Sequence, residues 1–207
     1  MLQEFFESLQ GQILLVVSIV AVLGLIFFLS KKEEKFNVKA LTYSAIAVAL
    51  GFVLNQITLF RMPQGGSVTP FSMLFIVIVG YLFGARQGIL AGIAFGLLDL
   101  LINPYVVHPM QLLLDYPLAF GALGISGLLR NKHIVLGYLT GVSGRLICHV
   151  ISGVIFFGAY TPEGTSVLMY SLIYNGSFIG VEALLTCIVL FLPPIKNGIE
   201  RIRKGII

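Results

Sequence analysis

The sequence predicts an all-α integral membrane protein, and three observations carry that reading. Of 207 residues, 57% are apolar and only 11% are charged, where a soluble domain carries about a quarter charged residues. The mean hydropathy of +0.99 is too high for one water-soluble core, because a domain of this size leaves too much surface to cover with polar groups. The apolar residues also fall into runs near the roughly 20 residues that a helix needs to cross a bilayer. Disorder, nucleic-acid binding and a disulfide scaffold are excluded. The net charge of +4 comes from basic residues in loops and at the C-terminus. Cys148 and Cys187 both sit in apolar runs and read as small buried apolar side chains.

Each element follows in chain order. Gly11 to Ser30 is an uncharged apolar run. Glu4 and Glu7 precede it in place of the basic n-region of a secretory signal, so it is expected to be retained as a helix. Lys31-Lys32-Glu33-Glu34-Lys35 is a charged connector. Lys39 to Phe60 is the second run. Arg61 to Pro70 holds two prolines and Gly65-Gly66, which predicts a loop. Phe71 to Phe83 is short for a span. Arg86 to Ile102, Met110 to Leu129, His133 to Phe157 and Ser166 to Pro193 complete the set. Residues 1–37 therefore form an N-terminal helix with its connector, and 38–207 form a six-helix membrane domain.

The basic residues set the orientation. Lys31, Lys32, Lys35, Lys39, Arg86, Arg130, Lys132, Lys196, Arg201, Arg203 and Lys204 all fall on one side of these spans. Arg61 alone falls on the other, and Arg145 lies within a span. The positive-inside rule then predicts a multi-pass protein of the cell membrane with the N-terminus outside and the C-terminus in the cytoplasm. Gly84, Gly88, Gly92 and Gly96 recur every four residues on the fourth helix, and Gly137 and Gly141 on the sixth. Small residues at this spacing let helices approach closely in lipid.

Ionisable groups inside spans are costly and mark function. Asp115 and Tyr116 on the fifth helix, His149 on the sixth, and Tyr170, Tyr174 and Asn175 on the seventh all fall in the outer half of the bilayer at about 1.5 Å rise per residue. They are expected to face one externally open cavity. Tyr170 and Tyr174 share a helix face, as do Arg145 and His149. Arg145 and Glu182, deeper and at similar depth, are expected to form a structural ion pair. Asp99, near the outer end of the fourth helix, reads equally as a cap. His108 reads as a satisfied core residue, and His133 as a cytoplasmic helix start. Tyr105, Tyr160 and Tyr170 fit an aromatic belt equally well. A carboxylate, an imidazole and aromatic faces suit a flat cationic heteroaromatic solute.

The motifs of self-sufficient chemistry are missing. The sequence holds no G-x-x-x-x-G-K-[ST], H-E-x-x-H, C-x-x-C or G-x-S-x-G. It shows no twofold hydropathy symmetry of the kind found in many secondary carriers. These absences point to a binding protein that draws energy from elsewhere, with no catalytic or metal-ligating residues. An intramembrane enzyme using Asp115 and His149 as acid and base and a ligand-free structural adaptor are the readings from other classes.

Several ordered stretches carry a resemblance. They are Met62-Pro63-Gln64-Gly65-Gly66-Ser67-Val68-Thr69, Val107-His108-Pro109-Met110-Gln111, Leu114-Asp115-Tyr116-Pro117-Leu118-Ala119-Phe120, and the segment from Arg145 through His149-Val150-Ile151-Ser152-Gly153 to Tyr170-Ser171-Leu172-Ile173-Tyr174-Asn175. Together they resemble the thiamine-specific substrate-binding (S) component of energy-coupling factor (ECF) vitamin transporters, over about Lys39 to Pro194. The resemblance implies a six-helix S-component bundle with one extra N-terminal transmembrane helix. It implies high-affinity thiamine binding in an outward-facing cavity, with no cofactor in this chain. A membrane coupling subunit and two ATPases would be the partners, and the ATPases would use the ATP. By position, Asp115 resembles the family's pyrimidine-side acid, followed by Tyr116, and His149 its stacking histidine. Phe157 falls at a stacking aromatic, and Tyr170 and Asn175 at a polar pair on the last helix. Ala45 and Ala49 match a face used by the coupling subunit. The chain departs from the family in having no Trp for stacking and Asp in place of Glu. A thiamine precursor, such as the hydroxymethylpyrimidine half, is the alternative ligand.

Overall fold

The computed structural model describes residues 8–29 and 38–206, so the charged connector lies outside the described residues. The chain is helical as expected. Helices α1 (Leu9–Leu29), α2 (Val38–Asn55), α4 (Ala85–Ile102), α5 (Pro109–Leu129), α6 (Ile134–Phe156) and α7 (Val167–Phe191) are each long and apolar enough to cross a membrane. Helix α3 (Ser72–Phe83) is apolar but has only 12 residues. A C-terminal helix, α8 (Pro193–Ile206), follows α7.

Helix α3 forms the centre of the bundle. Nearly all its side chains are buried, among them Met73, Ile76, Val77, Val79 and Tyr81. It packs against α2, α4, α5 and α6. At 1.5 Å per residue it reaches only about 18 Å, well short of a hydrocarbon layer about 30 Å thick. Its shortness leaves room above its N-terminal end, and the cavity described below occupies that room.

The glycine stripe explains how α4 lies so close to its neighbours. A Cβ on Gly88 would sit 2.7 Å from the Cα of Gly80 and 2.8 Å from the Cα of Gly124. One on Gly96 would sit 2.5 Å from the Tyr116 carbonyl oxygen. Backbone packs on backbone there, as small residues allow in lipid. Gly84 differs from the rest of the stripe. It lies between α3 and α4 with φ at 93°, a conformation that lets the chain reverse without a linker.

Three segments depart from the sequence expectation. The second apolar run ends as a helix at Asn55 rather than Phe60. Phe60 and Arg61 (β1) instead pair antiparallel with Ser67 and Val68 (β2), with Phe60 opposite Val68. A 3-10 turn over Pro63–Gly65 joins the two strands. Helix α5 is not a regular α-helix. It begins as α over Pro109–Leu113, widens to a π-turn over Leu114–Leu118, and tightens to 3-10 over Leu123–Leu129. Pro117 accounts for the widening, because it offers no N–H and its ring displaces the carbonyl one turn back. Third, the C-terminal tail forms α8. Its Ile195, Ile199 and Ile202 recur at helical spacing, and Ile199 is buried against the bundle. Glu200 of α8 accepts a hydrogen bond from the Tyr81 hydroxyl at 3.0 Å.

Helix α1 belongs to the same packed body. Ser8 caps it by accepting the Gly11 N–H at 3.1 Å. Val16 and Leu23 pack against Leu114, Leu118, Ala119 and Ala122 of α5. The Arg86 guanidinium at the start of α4 lies 4.3 Å from the Phe27 ring near the end of α1. The two helices therefore run antiparallel, as the alternation of basic residues requires. Cys148 is buried, Cys187 is partly so, and both are free thiols.

Candidate functional site

The widened turn of α5, the C-terminal half of α6, the N-terminal half of α7, the ends of α2 and α4 and the β-hairpin enclose one cavity of about 460 Å³. That volume is in the range of small-molecule sites. Asp115, Tyr116, His149, Phe157, Tyr170, Tyr174 and Asn175 all line it. A π-turn re-aims side chains relative to a regular helix and is frequent at functional sites. Here it carries both Asp115 and Tyr116.

Asp115 and His149 are the most tightly held pair. His149 Nδ1 lies 3.0 Å from Asp115 Oδ1, and the two side chains are only 13% and 14% exposed. Asp115 Oδ2 accepts from Gln111 Nε2 at 2.7 Å and from the Ser152 hydroxyl at 2.9 Å. His149 Nε2 in turn accepts from Arg145 Nε at 3.3 Å. An Nε2 that accepts assigns the proton to Nδ1, which donates to Asp115. Both edges of the imidazole are thus occupied, which fixes the plane of the ring. The ring meets Phe178 edge-on, with centroids 6.1 Å apart.

The expected pair of Arg145 with Glu182 does not form: among the described residues no salt bridge joins them. Arg145 lies with its guanidinium 4.0 Å from the Phe120 ring centroid. Glu182 is satisfied differently. Its Oε1 accepts from Ser72 Oγ and from the Met73 N–H, both at 3.1 Å. Its Oε2 accepts from Thr69 Oγ1 at 2.7 Å and from the Thr69 N–H at 3.4 Å. The carboxylate thus caps the N-terminus of α3, where the helix dipole favours negative charge. Depth along a helix is legible in sequence, but the direction each side chain takes depends on how the helices are rotated.

The Asp99 side chain is not a helix cap. It lies in the last turn of α4, and its Oδ1 accepts from Asn55 Nδ2 at 2.7 Å and Asn103 Nδ2 at 3.0 Å. It too lines the cavity. His133 stands at a helix start as expected, whereas His108, expected as a satisfied core residue, is a partly exposed N-cap; each accepts a backbone N–H two residues on.

The mouth of the cavity is built from two loops. Tyr174 donates to the Pro63 carbonyl and accepts the Gly66 N–H at 3.0 Å, which ties the hairpin to α7. Gly66 admits this contact because a Cβ there would lie 2.8 Å from the Tyr174 hydroxyl. Tyr116 holds the opposite loop. Its hydroxyl accepts the Tyr105 N–H at 2.7 Å and donates to the Asn103 carbonyl at 2.9 Å. Gln111 stitches that loop to Asp115, accepting from the Val107 N–H and donating to the Tyr105 carbonyl as well. Phe157 stacks on Tyr105 with centroids 6.2 Å apart. Burial, with the Tyr160 phenol alongside, raises the Tyr105 phenol above its ordinary pKa. Asn175 donates to the His149 and Ser171 carbonyls.

Sequence reasoning did not assign Gln111, Ser152, Asn55, Asn103 or the hairpin to the site. For Gln111 the signal was present, since it precedes Asp115 by four residues and so shares its helix face.

This fold and cavity define a polytopic helical membrane protein with a small-molecule-sized cavity, lined by polar and aromatic side chains, between its helices. Residues 41–200 match the family described as Thiamine transporter protein (Thia_YuaJ). The thiamine transporter ThiT of Bacillus subtilis is 36% identical over 166 residues, covering 72% of this chain and 86% of that protein. ThiT of Lacticaseibacillus paracasei is 29% identical over 170 residues, covering 71% and 82%. A solved structure of ThiT from Listeria monocytogenes superposes with a TM-score of 0.63 at 24% identity, over 75% of this chain and 94% of that one, which shows the shared fold. The chain belongs to the thiamine transporter protein family. It is a membrane transport protein and not an enzyme, so the acid–base reading of Asp115 and His149 is set aside. Helix α1 lies outside the segment that matches the family.

Proposed function

We propose that this chain binds thiamine in the cavity from the outer side of the cell membrane, as the substrate-specificity subunit of an ATP-driven ECF transporter. A membrane coupling subunit and two ATPases would supply the energy. The observation that carries the reading is the Asp115–His149–Arg145 chain of contacts, which presents an imidazole face fixed at both edges beside the aromatic rings of Phe178, Tyr170 and Tyr174. Thiamine has two flat heteroaromatic rings, an exocyclic amine and a permanent positive charge. Stacking faces and carboxylates complement all of these. Asp115, Tyr116, His149, Phe157, Tyr170, Tyr174 and Asn175 are the proposed binding residues. The family's relationship to relatives named as thiamine transporters supports the ligand.

Ala45 and Ala49 are the proposed docking face for the coupling subunit. Both are exposed on α2, while Ala40, Ser44, Ala47 and Gly51 turn inward. The proposed orientation places the N-terminus outside and the C-terminus in the cytoplasm.

Identifying what co-purifies tests the ligand directly. Protein expressed in thiamine-replete cells, purified and denatured, is expected to release thiamine in mass spectrometry. Release of a free hydroxymethylpyrimidine in its place would transfer the site to a thiamine precursor.

A further inference from the structure

Three carboxylates line the cavity, and they differ in what holds them. Both oxygens of Asp115 are engaged by protein donors: His149 on Oδ1, Gln111 and Ser152 on Oδ2. Both oxygens of Glu182 are engaged by the N-terminus of α3 and its hydroxyls. Asp99 is different. Asn55 and Asn103 both donate to Oδ1, and among the described residues no protein donor reaches Oδ2.

Among the described residues no cation pairs with Asp99 at ion-pair distance, although Arg145 acts on it from further off. Arg145 is committed elsewhere, face-on to Phe120 and bonded to His149. A carboxylate in a span with no cation within ion-pair distance is costly. The two amides steady Asp99 from one side and bring no charge.

We propose that Asp99 is the counter-ion for the ligand's positive ring, with Oδ2 facing the charge and Asn55 and Asn103 positioning the carboxylate. This rests on the reading of the cavity as a thiamine site and assigns the two halves of the ligand to different acids. Asp115, with both oxygens already engaged, serves the other half and orients the stacking imidazole of His149. Asp99, with an open oxygen, selects for positive charge. It is a specificity-determining residue, and it makes the cavity prefer a cationic heteroaromatic over an uncharged one of the same shape.

The test pairs one substitution with two ligands. The ligands are thiamine and an uncharged isostere in which carbon replaces the thiazolium nitrogen, giving a thiophene ring. Wild-type protein and Asp99→Asn are titrated with both, and Asp99→Ser serves as a second neutral variant. The substitutions are expected to weaken thiamine by roughly tenfold or more, the scale of a close charge pair, and to leave the isostere within about threefold. Binding of the isostere also reports that the variants are folded. Equal losses for both ligands would make Asp99 merely structural and overturn the proposal. Unchanged thiamine affinity would overturn it as well. Failure of folded wild-type protein to bind thiamine would instead sink the functional reading, and this proposal with it.

Discussion

His149→Ala is expected to reduce thiamine affinity by roughly thirtyfold to several thousandfold. The substitution removes a stacking face and strips Asp115 Oδ1 of its one donor among the described residues, at 3.0 Å. It also leaves Arg145 Nε without its acceptor. Removing one partner of a buried hydrogen bond leaves the other unsatisfied at a cost of about 1–3 kcal/mol, and more where that other group is charged, as Asp115 and Arg145 are. Asp115→Asn is expected to act in the same direction. A carboxamide cannot accept at both positions, so either His149 loses its acceptor or Gln111 and Ser152 both do, and the hold on the imidazole is weakened. Titration of the folded variants checks both. Affinity for either variant within twofold of wild type would place the ligand elsewhere.

The second large effect separates binding from transport. Replacing both Ala45 and Ala49 by Trp is expected to abolish uptake into cells and capture of the coupling subunit, while thiamine affinity of the isolated subunit stays within about twofold. Surface substitutions away from special features usually change stability by no more than about 0.5 kcal/mol, and both alanines point away from the bundle. Neither lines the cavity. Small side chains on this face let a partner helix approach closely in lipid, and two indoles would hold it off. A pull-down paired with a binding assay decides the matter. Loss of thiamine binding would place the alanines in the fold, and retained complex with retained uptake would place the docking face elsewhere.

Much of this architecture is legible in the sequence because membrane segments obey simple rules. Run length located the six long helices, and the brevity of Phe71 to Phe83 marked the short central helix beneath the cavity. Counting depth along helices brought Asp115, His149 and Asn175 to one level, and the structure joins the first two directly. What stayed hidden depends on rotation about each helix axis and on loops. Glu182 and Arg145 share a depth, yet one turns to cap α3 and the other to lie on Phe120. Asp99 looked equally like a cap, because its amide donors come from the end of α2 and from just beyond α4. The two-residue strands of the hairpin are too short to leave a periodicity. Pro117 signalled a disturbance in α5, but its outcome as a π-turn depended on neighbours packed against the glycine face of α4.

The central claim is that this cavity binds thiamine without transforming it. Calorimetric titration of the purified, folded subunit with thiamine, with the ligand recovered and analysed afterwards, tests that claim most directly. The account predicts saturable binding of one thiamine per chain and full recovery of intact thiamine. An absence of saturable binding by folded protein, or recovery of a cleaved or modified product, would contradict it.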